Sequence, residues 1–399
     1  MIIENSFFNN SDNLLEFLDL DLLSDFAKVL YELPVFSHDP SYIPQYNMCC
    51  AVIDRLYTSV TYLNKHSNYP NSEEDFLVFM MFASMVSAAV KEILKQLDVS
   101  IESIEKESKY FKDCYCNSRI YNPSTGIPSD NKFFEYFRSL VFAHPCRTDR
   151  AKFLQKNEEQ YSPLVFVNDE YTTFFQNDNI GVSIYTNQSS EIITLYVPFH
   201  EIKNYIASRY KLLECAIEWV KKEADSIHER WKKVRVNRNQ SEIEILEEIR
   251  DILKRRYEDY SLINELIIYM QCHVSEENKD SVSRYRRAIS DIIPFLCDSV
   301  DNIERNRFFE ILDQVLYARP RKMYPLANYQ LEKIFTKLRI SDSICDDDEH
   351  YARIQAKDFA KQFASKWVIM DIDNICNDEI RLLTSTACYL EKQEQDSMI

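Results

Sequence analysis

Residues Asp130–Lys152 read D-N-K-F-F-E-Y-F-R-S-L-V-F-A-H-P-C-R-T-D-R-A-K. The stretch starts as a helix, with Ser129 or Asp130 placed to cap it. Phe133, Phe134, Phe137, Leu140 and Val141 recur at helical spacing and give it one heavy apolar face. Pro145 disfavours helical geometry in the residue before it, so the helix should stop at His144, where terminal carbonyls favour an imidazolium. Arg138 lies six residues upstream, and on a straight helix the two side chains point about 120° apart along roughly 9 Å of axis. They converge on one phosphate only if a second copy of the helix crosses near a two-fold axis or the last turn loosens at Pro145. Arg147, Arg150 and Lys152 add positive charge beside the same end, in a chain of formal net charge -17. An ordinary buried helix supplies a competing account, with Arg138 paired to an acid such as Glu135 or Asp149 and the histidine satisfying carbonyls at its own terminus.

Arg138, five residues, then His144 on a helix in a largely helical chain resembles the Arg-(four to six residues)-His signature of the HEPN superfamily. The resemblance covers at most Gln45 to Val236. It implies a metal-independent endoribonuclease of the toxin, anti-phage or CRISPR kind, without cofactor, acting as a homodimer that brings two motifs together on RNA. On this correspondence Arg138 takes the place of the phosphate-binding arginine and His144 that of the catalytic histidine. Ser139 stands where the family commonly has Asn, Asp or His. It keeps a hydroxyl and loses the amide or imidazole.

Length and composition bound the remainder. A chain of 399 residues with 45% hydrophobic side chains has room for two or three domains with real cores. Glycine occurs only at 126 and 181, which removes glycine-rich phosphate loops of the P-loop or Rossmann kind. The N-terminus lacks a basic start and a continuous apolar run, and Phe76–Val90 is too short and too closely framed by charges to read as a membrane span. The eleven cysteines are scattered and odd in number, as expected of reduced thiols in the cytoplasm. Cys114 and Cys116 are too close for a structural zinc pair and have no second pair to match.

In chain order, helices are expected over Asp12–Leu33, Gln45–Lys65 and Ser72–Leu97, the last with a Ser-Glu-Glu-Asp start. A connector from Pro34 to Pro44 separates the first two. A shorter amphipathic piece spans Ile101–Phe111, and an irregular loop from Cys114 leads into the Arg138 helix. Pro163–Val167, Gly181–Tyr185 and Ile192–Val197 read as two or three antiparallel strands, with a tight turn at Asn187–Ser190. One long helix from about His200 to Val236 and another from Ser241 to His273 form a hairpin turning at Asn237–Gln240. The fold class is therefore mainly α, a multi-helix bundle with a small inserted antiparallel hairpin or three-stranded sheet and a second all-helical region. Boundaries fall at 1–236 (β insertion at about 163–199), 237–279 as a connecting long helix, and 280–399.

Several polar clusters have two readings. Arg230, Trp231, Lys232 and Lys233, continuing to Arg238, place an indole among cations that touch phosphates while it stacks a base; equally, they are the solvated basic end of a long helix. Lys254-Arg255-Arg256 reads as surface, and Arg319–Lys322 as a basic turn. Asp346–His350 reads as a solvated interhelical loop, because calcium sites alternate ligands around a central glycine. Asp371 and Asp373 read as caps of the last helix. The other histidines have no companion at zinc-triad spacing. Two functions follow: cleavage of RNA to 2',3'-cyclic phosphate and 5'-hydroxyl ends by Arg138, His144 and Ser139, or a non-catalytic helical scaffold that docks a regulatory protein partner on its acidic surface.

Overall fold

Ser72 does begin a helix. Its Oγ accepts the backbone N–H of Asp75 at 3.1 Å, and three acids fill the first turn, where unpaired N–H groups favour them. The computed structural model describes residues 17–148, 158–167, 178–338 and 346–398. Contacts divide the chain into two compact units, Met1–Ala224 and Asp225–Ile399.

The first unit runs α1 (Leu20–Glu32), α2 (Pro34–His38), α3 (Ile43–Lys65), α4 (Glu73–Gln96), α5 (Glu102–Glu105), α6 (Lys112–Cys116) and α7 (Asp130–Arg138). Strands β1 (Gln160–Tyr161), β2 (Val165–Phe166), β3 (Asn179–Thr186) and β4 (Ile193–Pro198) follow, then α8 (Phe199–Tyr210) and α9 (Leu213–Trp231), within which the division between units falls. By length and composition α4 would pass as a membrane span. Here it packs on α3 and α8 and buries Phe76, Phe79, Met80 and Val86 completely or nearly so. The expected 34–44 connector is partly helical, as α2, because Pro34 fits the first helical position.

The β insertion is antiparallel throughout. β4 pairs along one edge of β3, from Asn179↔Pro198 to Ile184↔Ile193. On the other edge, β1 pairs at Tyr161↔Tyr185 and β2 at Phe166↔Gly181. The two registers differ by one residue, so β1 and β2 are one edge strand interrupted at Pro163, which has no N–H to give the ladder. Ile180, Val182, Ile184, Leu195 and Val197 face inward and are fully buried. Gly181 is needed for contact: a Cβ there would lie 3.1 Å from Tyr196 Cε1 and 3.3 Å from Phe166 Cδ2.

The second unit continues with α10 (Glu242–Arg255), α11 (Ser261–Gln271), α12 (Lys279–Asn302), α13 (Arg305–Val315), α14 (Ala327–Lys337), α15 (Asp346–Gln362) and α16 (Asn377–Ser397). α16 is buried over most of Ile380–Leu390 and carries Arg381, which meets Glu265 of α11 at 2.7 Å inside the core. Tyr269 donates its hydroxyl to the same carboxylate. The mainly helical class with a small antiparallel insertion and further helices is thus the observed architecture.

The two long helices expected from the sequence are each broken. α8 ends at Tyr210, and a turn through Lys211 and Leu212 leads into α9, with Leu212 and Leu213 both buried. α10 ends with Tyr257 at φ 59°, and the N–H of Glu258 returns to the Leu253 carbonyl at 3.0 Å. Arg256 is not on the surface. It is 2% exposed and donates to the carbonyls of Val300 at 2.8 Å and Trp231 at 3.2 Å, closing two helix ends. Asp346–His350 is the opening of α15 rather than a loop, since acids suit a helix N-terminus. Asp371 and Asp373 do not cap α16, whose N-cap is Cys376; Asp373 instead pairs with Lys357 at 2.7 Å.

With so little glycine, helix ends are closed by other residues in the left-handed region: Asp98 at φ 53°, Tyr257 at φ 59° and Ile303 at φ 61°. Each is followed by an N–H returning to the carbonyl five residues back, 2.8 Å for Val99 to Leu94 and 2.8 Å for Glu304 to Ser299. A β-branched residue is the costliest of the three in this geometry. The left-handed penalty of about 1–2 kcal/mol exceeds what glycine loses in chain entropy. Ile303→Gly is therefore expected to raise unfolding stability by about 0.5 kcal/mol in urea titration, whereas Ile303→Val, which keeps the strain, is not; a clear loss in the glycine variant would show that the side chain's packing outweighs its backbone strain.

Candidate active site

Helix α7 is held by rings. Phe133 stacks on Phe111 with centroids 4.9 Å apart, Phe134 lies 4.7 Å from Tyr205 of α8, and Phe137 meets Phe76 of α4 at 6.3 Å. Each fully buried phenylalanine contributes about 1.5–3 kcal/mol, so this face fixes the helix's rotation. Its exposed stripe is narrow, with Lys132 and Glu135 open and Arg138, Ser139 and Phe142 half-buried.

The start of α7 differs from expectation. Ser129 holds the N-cap position without a side-chain cap bond. Asp130, 1% exposed, turns back and accepts the backbone N–H groups of Lys109 at 2.8 Å, Tyr110 at 3.0 Å and Phe111 at 3.1 Å. Asn131 ties the helix to α8 by accepting from Tyr205 Oη at 3.0 Å and Arg209 Nε at 2.8 Å.

Beyond Arg138 the α-helix becomes a π turn, Ser139–Ala143, closed by the His144 N–H donating to the Ser139 carbonyl at 2.9 Å. The helical run ends at His144, as Pro145 requires. A π turn rotates less per residue than an α turn, so loosening this turn does not bring the His144 side chain onto the Arg138 face. Within one chain no contact joins the two side chains. π turns recur at functional sites because they place side chains where a regular helix cannot.

The turn is braced from the next segment. Thr148, 3% exposed, lies with its Oγ1 3.0 Å from the Ser139 hydroxyl and donates to the His144 carbonyl at 3.0 Å. Thr148 and Gln160 exchange backbone hydrogen bonds of 2.8 and 3.0 Å, and Ser162 N–H donates to the Pro145 carbonyl at 2.8 Å. Tyr136, on α7, donates its hydroxyl to Gln160 Oε1 at 2.6 Å. Burial pushes the Tyr136 hydroxyl well above its ordinary pKa, so it remains a donor.

The imidazole of His144 is exposed and makes no hydrogen bond among the described residues. Arg138 donates to Glu135 Oε2 from Nη2 at 2.7 Å and from Nε at 3.2 Å, and its guanidinium lies 5.9 Å from the Phe142 ring centroid. Such an exposed i,i+3 pair is worth about 0.2–0.5 kcal/mol, against about 1.5–3 for a hydrogen bond to a charged group. A phosphate can displace Glu135. Arg147 pairs with Glu159 at 2.6 Å. Arg150 and Lys152 lie outside the described residues, as does Asp149.

The second basic run belongs to the Asp225–Ile399 unit and is largely engaged there. Trp231 has the Arg256 guanidinium 5.6 Å from its ring centroid, and Lys232 meets Glu229 at 3.0 Å. Lys233 is exposed, and Arg230 is exposed at the helix end. Further along, Val236 N–H and Arg238 converge on buried Asp301 at 2.9 Å each, with Arg235 at 3.8 Å. Among the described residues no group of three or more His, Cys, Asp or Glu could hold a metal ion, and the cysteines there are free thiols.

Comparison with protein-family models, with curated proteins and with solved structures finds no match. The site is therefore read from its own geometry. Local sequence marks Asp130 only as a cap and leaves Thr148, Tyr136 and Gln160 unmarked, because their roles depend on the Thr148–Gln160 and Tyr136–Gln160 contacts and on the Lys109–Phe111 backbone. Asp130→Ala strands three backbone N–H groups and is expected to lower stability by about 3 kcal/mol in urea unfolding, with Asp130→Asn recovering part through its remaining oxygen; a loss under about 1 kcal/mol in the alanine variant would mean that water replaces the carboxylate at no great cost.

Proposed function

We propose that the Arg138–His144 turn is the phosphodiester-handling site of a metal-independent endoribonuclease assembled from two copies of the chain. The observation that carries this reading is the braced π turn, which presents an uncommitted histidine and, at its other end, an arginine held only by a weak pair. Because the two side chains diverge within one chain, a two-fold arrangement is what lets an arginine and a histidine meet at one phosphate. The narrow stripe of Lys132, Glu135, Ser139 and Phe142 is the face for that contact.

The chemistry needs a base, an acid and a charge clamp. One His144 imidazole takes the proton of the ribose 2'-hydroxyl, the 2'-oxygen bonds to phosphorus, and the P–O5' bond breaks. The leaving 5'-oxygen takes its proton from solvent, and the imidazolium returns to solvent the proton it took, so one arginine and one histidine complete a site. Arg138, released from Glu135, holds the non-bridging oxygens as charge grows on them. Ser139 has a different role from the one its position suggests: its hydroxyl is spent on Thr148 and keeps the turn in shape.

A scaffold that retains the fold without chemistry is favoured by one observation, the intramolecular pairing of both Arg138 and Arg147 with glutamates. The readings separate on purified protein and single-stranded RNA in EDTA. Cleavage is expected to leave 2',3'-cyclic phosphate and 5'-hydroxyl ends, and His144→Ala and Arg138→Ala each to lower its rate by about a hundredfold or more. Glu135→Gln frees the arginine and is expected to tighten RNA binding by about twofold. Cleavage that persists undiminished in both alanine variants would remove the site from the reaction, and no cleavage at all would leave the scaffold.

A further inference from the structure

The sheet has a second face. Its inward residues fill the core, while on the outward side Tyr161 and Tyr185 are directly opposed across β1 and β3, and Phe166, Gly181 and Tyr196 form a row across β2, β3 and β4. Tyr185 is 43% exposed. Beside β4 this face borders an open groove of about 720 Å³, with Asn117, Ser118 and Arg119 on one wall and Asn179, Thr194 and Tyr196 on the sheet side. Among the described residues, its charged side chains are Asp113 and Arg119. Arg119 is well exposed and only 3.9 Å from Glu191, a loose pair that another anion can replace. Cys114 also lines the groove, but burial pushes its thiol up to about 12, so it is inert there.

We propose that this outward sheet face and its groove bind the single-stranded RNA that the Arg138–His144 turn cuts. The inference rests on the ribonuclease reading and names where the rest of the substrate lies. Aromatic rings on an open sheet face accept unstacked bases of any sequence, since every base has a π face, and amide and hydroxyl side chains meet base edges. A groove whose described lining holds one arginine and one aspartate does not suit a duplex, whose recognition is dominated by phosphate contacts. Position also supports RNA: Thr186 pairs with Gln160 and Gln160 with Thr148, so the brace of the His144 turn continues the same sheet. From β4 across β3 and β1 to Thr148 is three strand spacings, roughly 14 Å, a span of a few nucleotides.

Binding is read apart from cleavage by titrating the full chain with a short fluorescein-labelled 2'-O-methyl RNA of mixed sequence, which lacks the attacking hydroxyl. Tyr185→Ala and Tyr161→Ala are each expected to weaken binding at least about fivefold. Thr194→Asp, which adds repulsion to the groove without removing packing, should also weaken it. Tyr57→Ala, an exposed tyrosine on α3, should not. With Arg119 the one cation among the described groove residues, the logarithmic salt slope should be shallow, about -0.7. RNA binding indifferent to all three sheet-face variants, or no binding of RNA while an extended polar peptide binds in their place, overturns the proposal. Cleavage of unmodified RNA with no dependence on Tyr185 would sink this inference and leave the ribonuclease standing. Tyr185-dependent binding without cleavage would do the reverse.

Discussion

The buried aromatic face of α7 is the constraint on which the candidate site depends. Phe133, Phe134 and Phe137 enclose the helix between Phe111, Phe76 and Tyr205, and that leaves only one stripe of side chains facing solvent. Once the rotation of the helix is fixed, Arg138 must emerge near Glu135, and the chain must reach Pro145 by a turn that keeps Leu140 and Val141 inside. The π turn is the backbone's solution. It adds a residue to the last turn, keeps its hydrogen bond, and leaves the histidine outside. Thr148 and Gln160 then join this end to the sheet, so helix, turn and strand form one braced assembly.

Charge is used in the second unit in the opposite manner. The run from Lys232 to Arg238 is rich in cations, yet Asp301 and Glu229 draw most of them into intramolecular pairs, and Arg256 covers Trp231. Arg256 and Arg381 are buried for the same reason: each satisfies polar groups inside the fold, helix-end carbonyls in one case and the Glu265 carboxylate in the other. Removing one member of such a pair leaves an uncompensated charge, which costs more than the pair itself contributes. A basic stretch in this chain is therefore better judged by its acidic neighbours than by its own composition.

What could be read from sequence follows the range of the interactions involved. The Ser72 start, the stop at Pro145 and the three strand segments rest on local rules, and they stand close to where the residues place them. The breaks at Lys211 and Arg256, the interruption of the edge strand at Pro163 and the carboxylate of Asp130 depend on contacts many residues away, and no local pattern announces them. The same holds for the site. Arg138 and His144 are visible as a spaced pair, and Glu135 as the arginine's partner. Thr148, which braces the turn, is just another β-branched residue until Gln160 is placed beside it.

The account's central claim is that Arg138 of one copy and His144 of another act at a single phosphate. Mixing the Arg138→Ala and His144→Ala proteins tests it directly, with RNA cleavage followed before and after subunit exchange. Each variant alone lacks a complete site, but a mixed pair carries one intact arginine–histidine combination. Random exchange of equal amounts should therefore restore about one quarter of the wild-type rate. Two inactive variants whose mixture stays inactive after demonstrated exchange would contradict the shared site.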